Sequence, residues 1–267
     1  MHKVHIDHRN DLIKQNMARI KAKVLVMSNK GGVGKSTVAV NLADLLAAGG
    51  RRTGLLDIDI HGPSAARMTG QENKPHATDG QLLEPHEVVP NLKMISMGSV
   101  MREADAPVIW RGPLKQSVLR QFLSDVKWGD LDALVIDAPP GTGDEPLTIT
   151  QLIPGLTGAV VVTTGQGVAL LDSRKAVNFL KAVGVPVLFI LENMTSFHCP
   201  HCAKEIDLFK TGGGARAAAE LGVPFLGSVP FEPAMVDAGD AGKIYALENP
   251  GASPSLALKK ALAALAL

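Results

Sequence analysis

The chain has 267 residues, 46% hydrophobic and 20% charged, which supplies a sizeable core and suits one large α/β domain or two small ones. Its 27 basic and 26 acidic residues leave a formal charge of +1, so no electrostatic footprint for nucleic acid or an anionic membrane is present. Aromatic content of 4% argues against a stacking platform for single strands, and no apolar run approaches the roughly 20 residues of a membrane span.

The first segment, "MHKVHIDHRNDLIKQNMARIK" (1–21), is polar throughout and lacks the apolar core of a signal peptide. A helical or extended lead-in and a cytoplasmic address are expected. It runs into a strand, "KVLVMS" (23–28), and then a glycine-rich turn that opens an amphipathic helix, "STVAVNLADLLAAG" (36–49). Gly31, Gly32 and Gly34 let backbone N–H groups close around phosphate oxygens with no Cβ in the way. Lys35 can set a point charge against the β and γ phosphates, and the Ser36 hydroxyl can ligate Mg2+. The helix that follows adds its dipole. The stretch Asn29, Lys30, Gly31, Gly32, Val33, Gly34, Lys35, Ser36 and Thr37 is thus the candidate nucleotide cradle. Asn29 stands where the strict G-x-x-x-x-G-K-S pattern has its first glycine, and Lys30 is a second lysine near the start of the loop.

The next strand, "TGLLDID" (53–59), ends in Asp57 and Asp59, two positions apart and so on one side of a continuing strand. Carboxylates at C-terminal strand ends sit where open α/β sheets bind ligands. Phosphoryl transfer needs groups that hold Mg2+ and a group that orients water. Residues 71–90 are polar and proline-rich, an excursion from one domain and not a boundary. After a strand at 92–98 and a helix at 114–126, "DALVIDA" (132–138) ends in Asp137, and "PPGTGD" follows. A hydrophobic strand, a carboxylate and a glycine-bearing loop make a Walker B pattern: a magnesium carboxylate, then a switch that can sense the γ-phosphate.

Further strands are expected at 158–164, 185–191 and 224–230, helices at 170–184 and 214–222, and a C-terminal helix over 251–267. Gly49–Gly50, Gly184 and Gly222 stand where helix ends want a left-handed residue. Several strands are apolar without alternation, as strands covered on both faces must be. The fold class is therefore α/β: a single nucleotide-binding domain with a mostly parallel, twisted sheet of about seven or eight strands and helices on both faces.

Cys199 and Cys202, in "HCPHC", are the only two cysteines. In a reducing compartment such a pair is more often a ligand or a redox pair than a structural one. Three readings stand. Zinc would want four ligands, and His198, Cys199, His201 and Cys202 are nominally four, but crowded into five residues they cannot all turn to one centre. A thiol–disulfide oxidoreductase fits the C-P-H-C spacing but ordinarily opens a helix in a small redox domain. The third is ligation across a dimer axis, two chains giving the four thiolates of a [4Fe–4S] cluster.

"KGGVGKST" resembles the signature of the deviant Walker A ATPases, which include MinD, ParA and the nitrogenase iron protein. "DIDIHGPSAARMTG", "VIWRGPLKQSVLRQFLSDVKWGDLDALVIDAPPGTGD", "LLDSRKAV", "ENMTSFHCPHC" and "GVPFLGSVPFEPAMVDAGDAGK" together resemble the Mrp/ApbC-type iron–sulfur cluster carrier ATPases, over about residues 20–243. The resemblance implies a homodimer that takes a [4Fe–4S] cluster from a donor and delivers it to apo-proteins with slow ATP hydrolysis, while the balanced charge leaves no nucleic-acid or membrane partner expected. It implies that Lys30 reaches the partner's nucleotide and that Lys35 binds phosphate. By the same likeness Asp59 positions water, and Ser36, Asp57 and Asp137 serve Mg2+. Asn193 falls where relatives contact adenine, and Cys199 and Cys202 hold the bridging cluster. The chain departs from the family at His61, where an aromatic is common, and at Gly165, often proline. An N-terminal cysteine cluster and accessory domain of the kind some relatives have are not expected from this sequence. A ParA/MinD-like positioning switch is the alternative; it would want a basic face or a membrane-binding tail, and "SLALKKALAALAL" has only two lysines.

Overall fold

The computed structural model describes residues 2–59, 62–79, 82–100, 112–186 and 188–265. Helix α1 (His2–Ala18) runs into β1 (Ile20–Met27), and the glycine turn leads to α2 (Lys35–Ala48) and β2 (Thr53–Asp57). A short α3 (Ala65–Met68) and the small hairpin β3 (Thr78–Asp79) and β4 (Leu82–Leu83) precede β5 (His86–Val89), β6 (Leu92–Ser96) and α4 (Met97–Val100). Then come α5 (Gly112–Asp125), β7 (Leu131–Asp137), α6 (Asp144–Leu152), β8 (Gly158–Thr163) and α7 (Gly167–Ala182). The last part holds β9 (Leu188–Glu192), a hairpin of β10 (Phe197–His198) and β11 (Glu205–Ile206), and α8 (Gly213–Leu221). It closes with β12 (Phe225–Ser228), α9 (Pro233–Asp240), α10 (Tyr245–Glu248) and α11 (Ser253–Leu265).

Eight strands form one sheet in the order β12-β9-β8-β1-β7-β2-β6-β5, parallel except for β5, which pairs antiparallel with β6 at one edge. This is the sheet expected from the run of β–helix–β units. The side-chain period of two splits the core. Leu25 and Met27 point into one apolar cluster with α1, α5, α6, α7 and α8, while Val24 and Val26 point into another with α2 and α11. Both faces of β2 and β8 are buried throughout, which is why neither strand alternates in sequence.

Several boundaries differ from the sequence expectation. The lead-in is helical, and Ile13 and Met17 of α1 bury against α5. Helix α2 is not amphipathic: Val38 through Ala47 are all buried, because α10 and α11 cover the side turned away from the sheet. Of the Gly49–Gly50 pair expected to end it, Gly50 takes the left-handed conformation (φ +81°). Part of the polar excursion at 71–90 is the edge strand β5, whose half-buried residues carry no strong hydrophobic pattern. The strand placed at 92–98 ends at Ser96, and α6 was not foreseen after the Pro-Pro-Gly loop. His61, Val187, residues 108–111 of the Trp-Arg-Gly-Pro segment and the last two of the C-terminal helix lie outside the described residues. Among the described residues no helix is long and apolar enough to cross a membrane.

Candidate functional site

The site lies at the C-terminal ends of β1, β2, β7 and β9, where a parallel sheet presents its loops together. The chain leaves β1 through Ser28, whose hydroxyl donates to the Lys30 carbonyl at 2.8 Å, while the Gly141 N–H donates to the Ser28 carbonyl at 2.8 Å. The Pro-Pro-Gly turn therefore starts in contact with the base of the loop. Gly32 and Gly34 have φ of +80° and +83°, the left-handed region that favours glycine. Beneath Gly34 lies the Asn193 amide, with no space for a Cβ; that amide donates to the Val33 carbonyl at 3.0 Å. Asn193 thus holds the loop from below.

Lys35 is buried, with its ammonium 2.5 Å from Asp137 Oδ1, 3.2 Å from the Ser36 hydroxyl and 3.9 Å from Asp59 Oδ2. Sheet register explains the cluster: Asp57 of β2 pairs with Asp137 of β7 on one side and with Ser96 of β6 on the other. Burial pushes the Asp137 carboxyl up from its ordinary range, and Lys35 and Ser36 pull it back. Burial, then the Asp137 charge, pushes Asp57 up to about 8, against the pull of Lys35 and of the Ser96 hydrogen bond. Asp57 Oδ1 accepts the Asp59 N–H at 3.1 Å, and Oδ2 accepts the Ser96 hydroxyl at 2.9 Å and the Ala65 N–H at 3.2 Å. Both oxygens of Asp57 are engaged within the chain, so it braces the loop after β2. Asp59, on that loop, accepts the Gly62 N–H at 3.1 Å and faces the phosphate cavity. Asp137 Oδ2 is buried without a hydrogen-bond partner among the described residues.

A cavity of about 450 Å³ is lined by Gly31, Gly32, Gly34, Lys35, Ser36, Asp59 and the Pro139–Pro140 turn. A second, of about 320 Å³, shares Thr37, Ser64 and Met68 with it and is walled by Asn193, Phe231, Met235 and Tyr245. Lys30 is half-buried and does not line the phosphate cavity. The Asn29 amide donates to Asp172 of α7 at 2.9 Å, which pins the position that a strict loop gives to glycine. Sequence reasoning missed Asp172, Phe231 and Tyr245. Asp172 and Phe231 lie in segments that carry the family resemblance, but only the fold, which brings each from far along the chain, places them at this site.

Cys199 and Cys202 sit in the turn of the β10–β11 hairpin. The Cys199 N–H donates to Lys204 O at 3.0 Å and the Ala203 N–H to Cys199 O at 2.8 Å, with Ala203 at φ +57°. Cys199 is half-buried, Cys202 exposed, and the two are not disulfide-bonded. The His201 and Cys202 N–H groups, then the Cys202 thiol, hold the Cys199 thiol below its ordinary value. Among the described residues no three His, Cys, Asp or Glu side chains converge on a metal position. The pair lies between strands and does not open a helix, unlike the redox arrangement weighed above.

A glycine loop between β1 and α2, with its lysine set over the ends of β2 and β7, is the architecture of a P-loop NTPase. The chain belongs to the NUBPL iron-transfer P-loop NTPases of the ParA group, whose profile matches residues 19–266. It is 48% identical over 230 residues to the iron-sulfur cluster carrier protein of Methanocaldococcus jannaschii, covering 86% of this chain and 79% of that one. It is 46% identical over 231 residues to the cytosolic Fe-S cluster assembly factor NUBP2 homolog of Trichoplax adhaerens, covering 85% and 87%. Among solved structures it is similar to an Archaeoglobus fulgidus nucleotide-binding protein in complex with ADP, with a TM-score of 0.76 and 34% identity, covering 88% and 92%. The family read from the motifs is borne out.

Proposed function

We propose that the chain, read as one ATPase domain over its whole length, binds Mg·ATP between its loops and carries a [4Fe–4S] cluster as cargo on Cys199 and Cys202, paired across a homodimer. The reading is supported by a cavity lined by the glycine loop, Lys35 and Ser36 and, on the same chain, two free thiols in one hairpin turn. A second copy related by a two-fold axis brings the missing two thiolates automatically. The relative's ADP complex supports nucleotide binding, and the carrier and assembly-factor names of the relatives support the cargo. The cytosolic name of one relative supports a cytoplasmic address. Apo-proteins that receive the cluster and a donor that supplies it complete the set of partners.

The loop N–H groups, Lys35 and the α2 N-terminus hold the phosphates, and Lys35 exchanges its bond to Asp137 for the nucleotide. Released from Lys35, Asp137 with its unpartnered Oδ2, together with the Ser36 hydroxyl, fits a hard divalent cation. Mg2+ there would supply charge neutralisation on the phosphates. Asp59, at the cavity edge, orients water for attack on the γ-phosphorus as the bond to the ADP oxygen breaks. Lys30 serves the partner's nucleotide, and Asn193 both holds the loop and faces the base. Asp57 supports the magnesium shell through the loop it braces.

Anaerobic reconstitution tests this. The wild type should take up about four irons per two chains, with ATP turnover, and Cys199→Ala should lose the iron. Lys35→Ala should keep its fold and lose ATP binding. Full iron retention in Cys199→Ala, or colourless protein with one zinc per chain, overturns the cargo assignment.

A further inference from the structure

The cysteine hairpin is not a free appendage of the nucleotide fold. Its entry strand follows Asn193, and the Thr195 N–H and hydroxyl both donate to the Val229 carbonyl at 3.1 Å. The Phe231 N–H donates to the Ser196 carbonyl, also at 3.1 Å. Next along, the Phe197 ring meets the Phe231 ring edge-on, centroids 5.8 Å apart and planes at 69°. Phe231 is a wall of the 320 Å³ cavity beside the phosphate loop, and Phe197 lines neither cavity of the nucleotide site. Phe197 stands two residues before Cys199 in β10, whose pairing with β11 sets the turn that holds both sulfurs.

We infer that Phe197 is a positioning residue that couples the two sites: a nucleotide base against Phe231 fixes the Phe197 ring, and with it the cysteine turn. Edge-to-face rings have a preferred geometry and resist independent motion, so a shift in one is passed to the other. The three hydrogen bonds between 195–196 and 229–231 keep the backbones from sliding apart as this happens. Coupling between sites is reciprocal in binding free energy, so cluster loading alters nucleotide affinity by the factor with which nucleotide alters the cluster site. This inference rests on the proposed cluster and nucleotide sites.

The test reads the thiols of the full, reduced, metal-free chain, in which iodoacetamide alkylation reports only Cys199 and Cys202. Mg·ADP at saturation should slow alkylation of the wild type by about fivefold or more, the lower end of ordinary coupling. Phe197→Ala should bind ADP within about twofold of wild type, keep its far-ultraviolet circular dichroism, and alkylate at one rate with and without nucleotide. Phe197→Tyr, which restores the ring contact, should regain the response. A wild-type rate that ignores bound ADP, or a full response in Phe197→Ala, overturns the coupling. Iron uptake and ADP affinity are measured separately. A nucleotide-sensitive chain that takes up no iron supports the coupling and sinks the cargo, while a chain that binds no ADP sinks the coupling together with the proposed nucleotide site.

Discussion

Asp44 shows what a single residue can conceal inside an apolar helix. It is 1% exposed on α2, and neither carboxylate oxygen has a hydrogen-bond partner among the described residues. Burial alone pushes it up to about 6 from 3.8. A raised acid favours the protonated folded chain, so its contribution to stability is complete below about pH 4 and is lost as pH rises to about 6. Above that, the buried charge costs about 2–3 kcal/mol, the free-energy equivalent of the shift. Asp44→Asn should therefore raise Tm at pH 8 by about 2–6 °C and flatten the difference between pH 4 and pH 8. An unchanged Tm at pH 8, followed by circular dichroism, would mean the carboxylate is solvated after all. Sequence alone reads residues 36–49 as an amphipathic helix. That fails because the covering helices α10 and α11 come from the far end of the chain, beyond any local periodicity. The phosphate loop was legible for the opposite reason: its glycines, lysine and serine are contiguous, and one turn builds the cradle.

Among the elements, the exit of the cysteine loop is seated as firmly as its entry. Glu192, at the end of β9, is fully buried, and its Oε2 accepts the Gly212 N–H at 3.2 Å just ahead of α8. Burial pushes its carboxyl up, against the pull of the Gly214, Gly213 and Gly212 N–H groups and of Arg216. Gly165, after β8, lies against the Lys210 carbonyl and Glu192 Oε1, with no space for a Cβ. The departure from proline noted at this position thus has a local physical reason: the loop exit occupies the space. Lys210 sits at φ +64°, so that backbone has little freedom to retreat. Gly165→Ala should displace the loop exit and destabilise the chain by about 1–3 kcal/mol, the usual effect of overpacking. A urea midpoint reads this, and limited proteolysis between Lys204 and Lys210 should quicken. A wild-type midpoint with an unchanged cleavage rate would show that the segment moves aside at no cost. The strand and the glycine were each visible in sequence; their meeting with a loop forty-odd residues later was not.

At the scale of the whole molecule, the glycine-loop cavity and the cysteine pair differ in how far the chain itself closes them. The phosphate site is closed by contacts within the chain: Asn193 under Val33, Asp57 under Ala65 and Gly141 against Ser28. The two sulfurs have no such closure, since no third ligand approaches them among the described residues. If the cluster is shared by two chains, iron occupancy must follow mass action in chain concentration. Diluting a fully loaded sample in the presence of a weak chelator should lower the iron bound per chain, with the loss setting in near the dimer dissociation constant. A site wholly within one chain would keep the same iron per chain at every dilution, because its occupancy depends on free metal alone. Sedimentation at each dilution supplies the matching monomer fraction, and the two curves should superimpose. Iron per chain that stays flat while the dimer dissociates would leave the nucleotide site intact and place the cluster on a single chain.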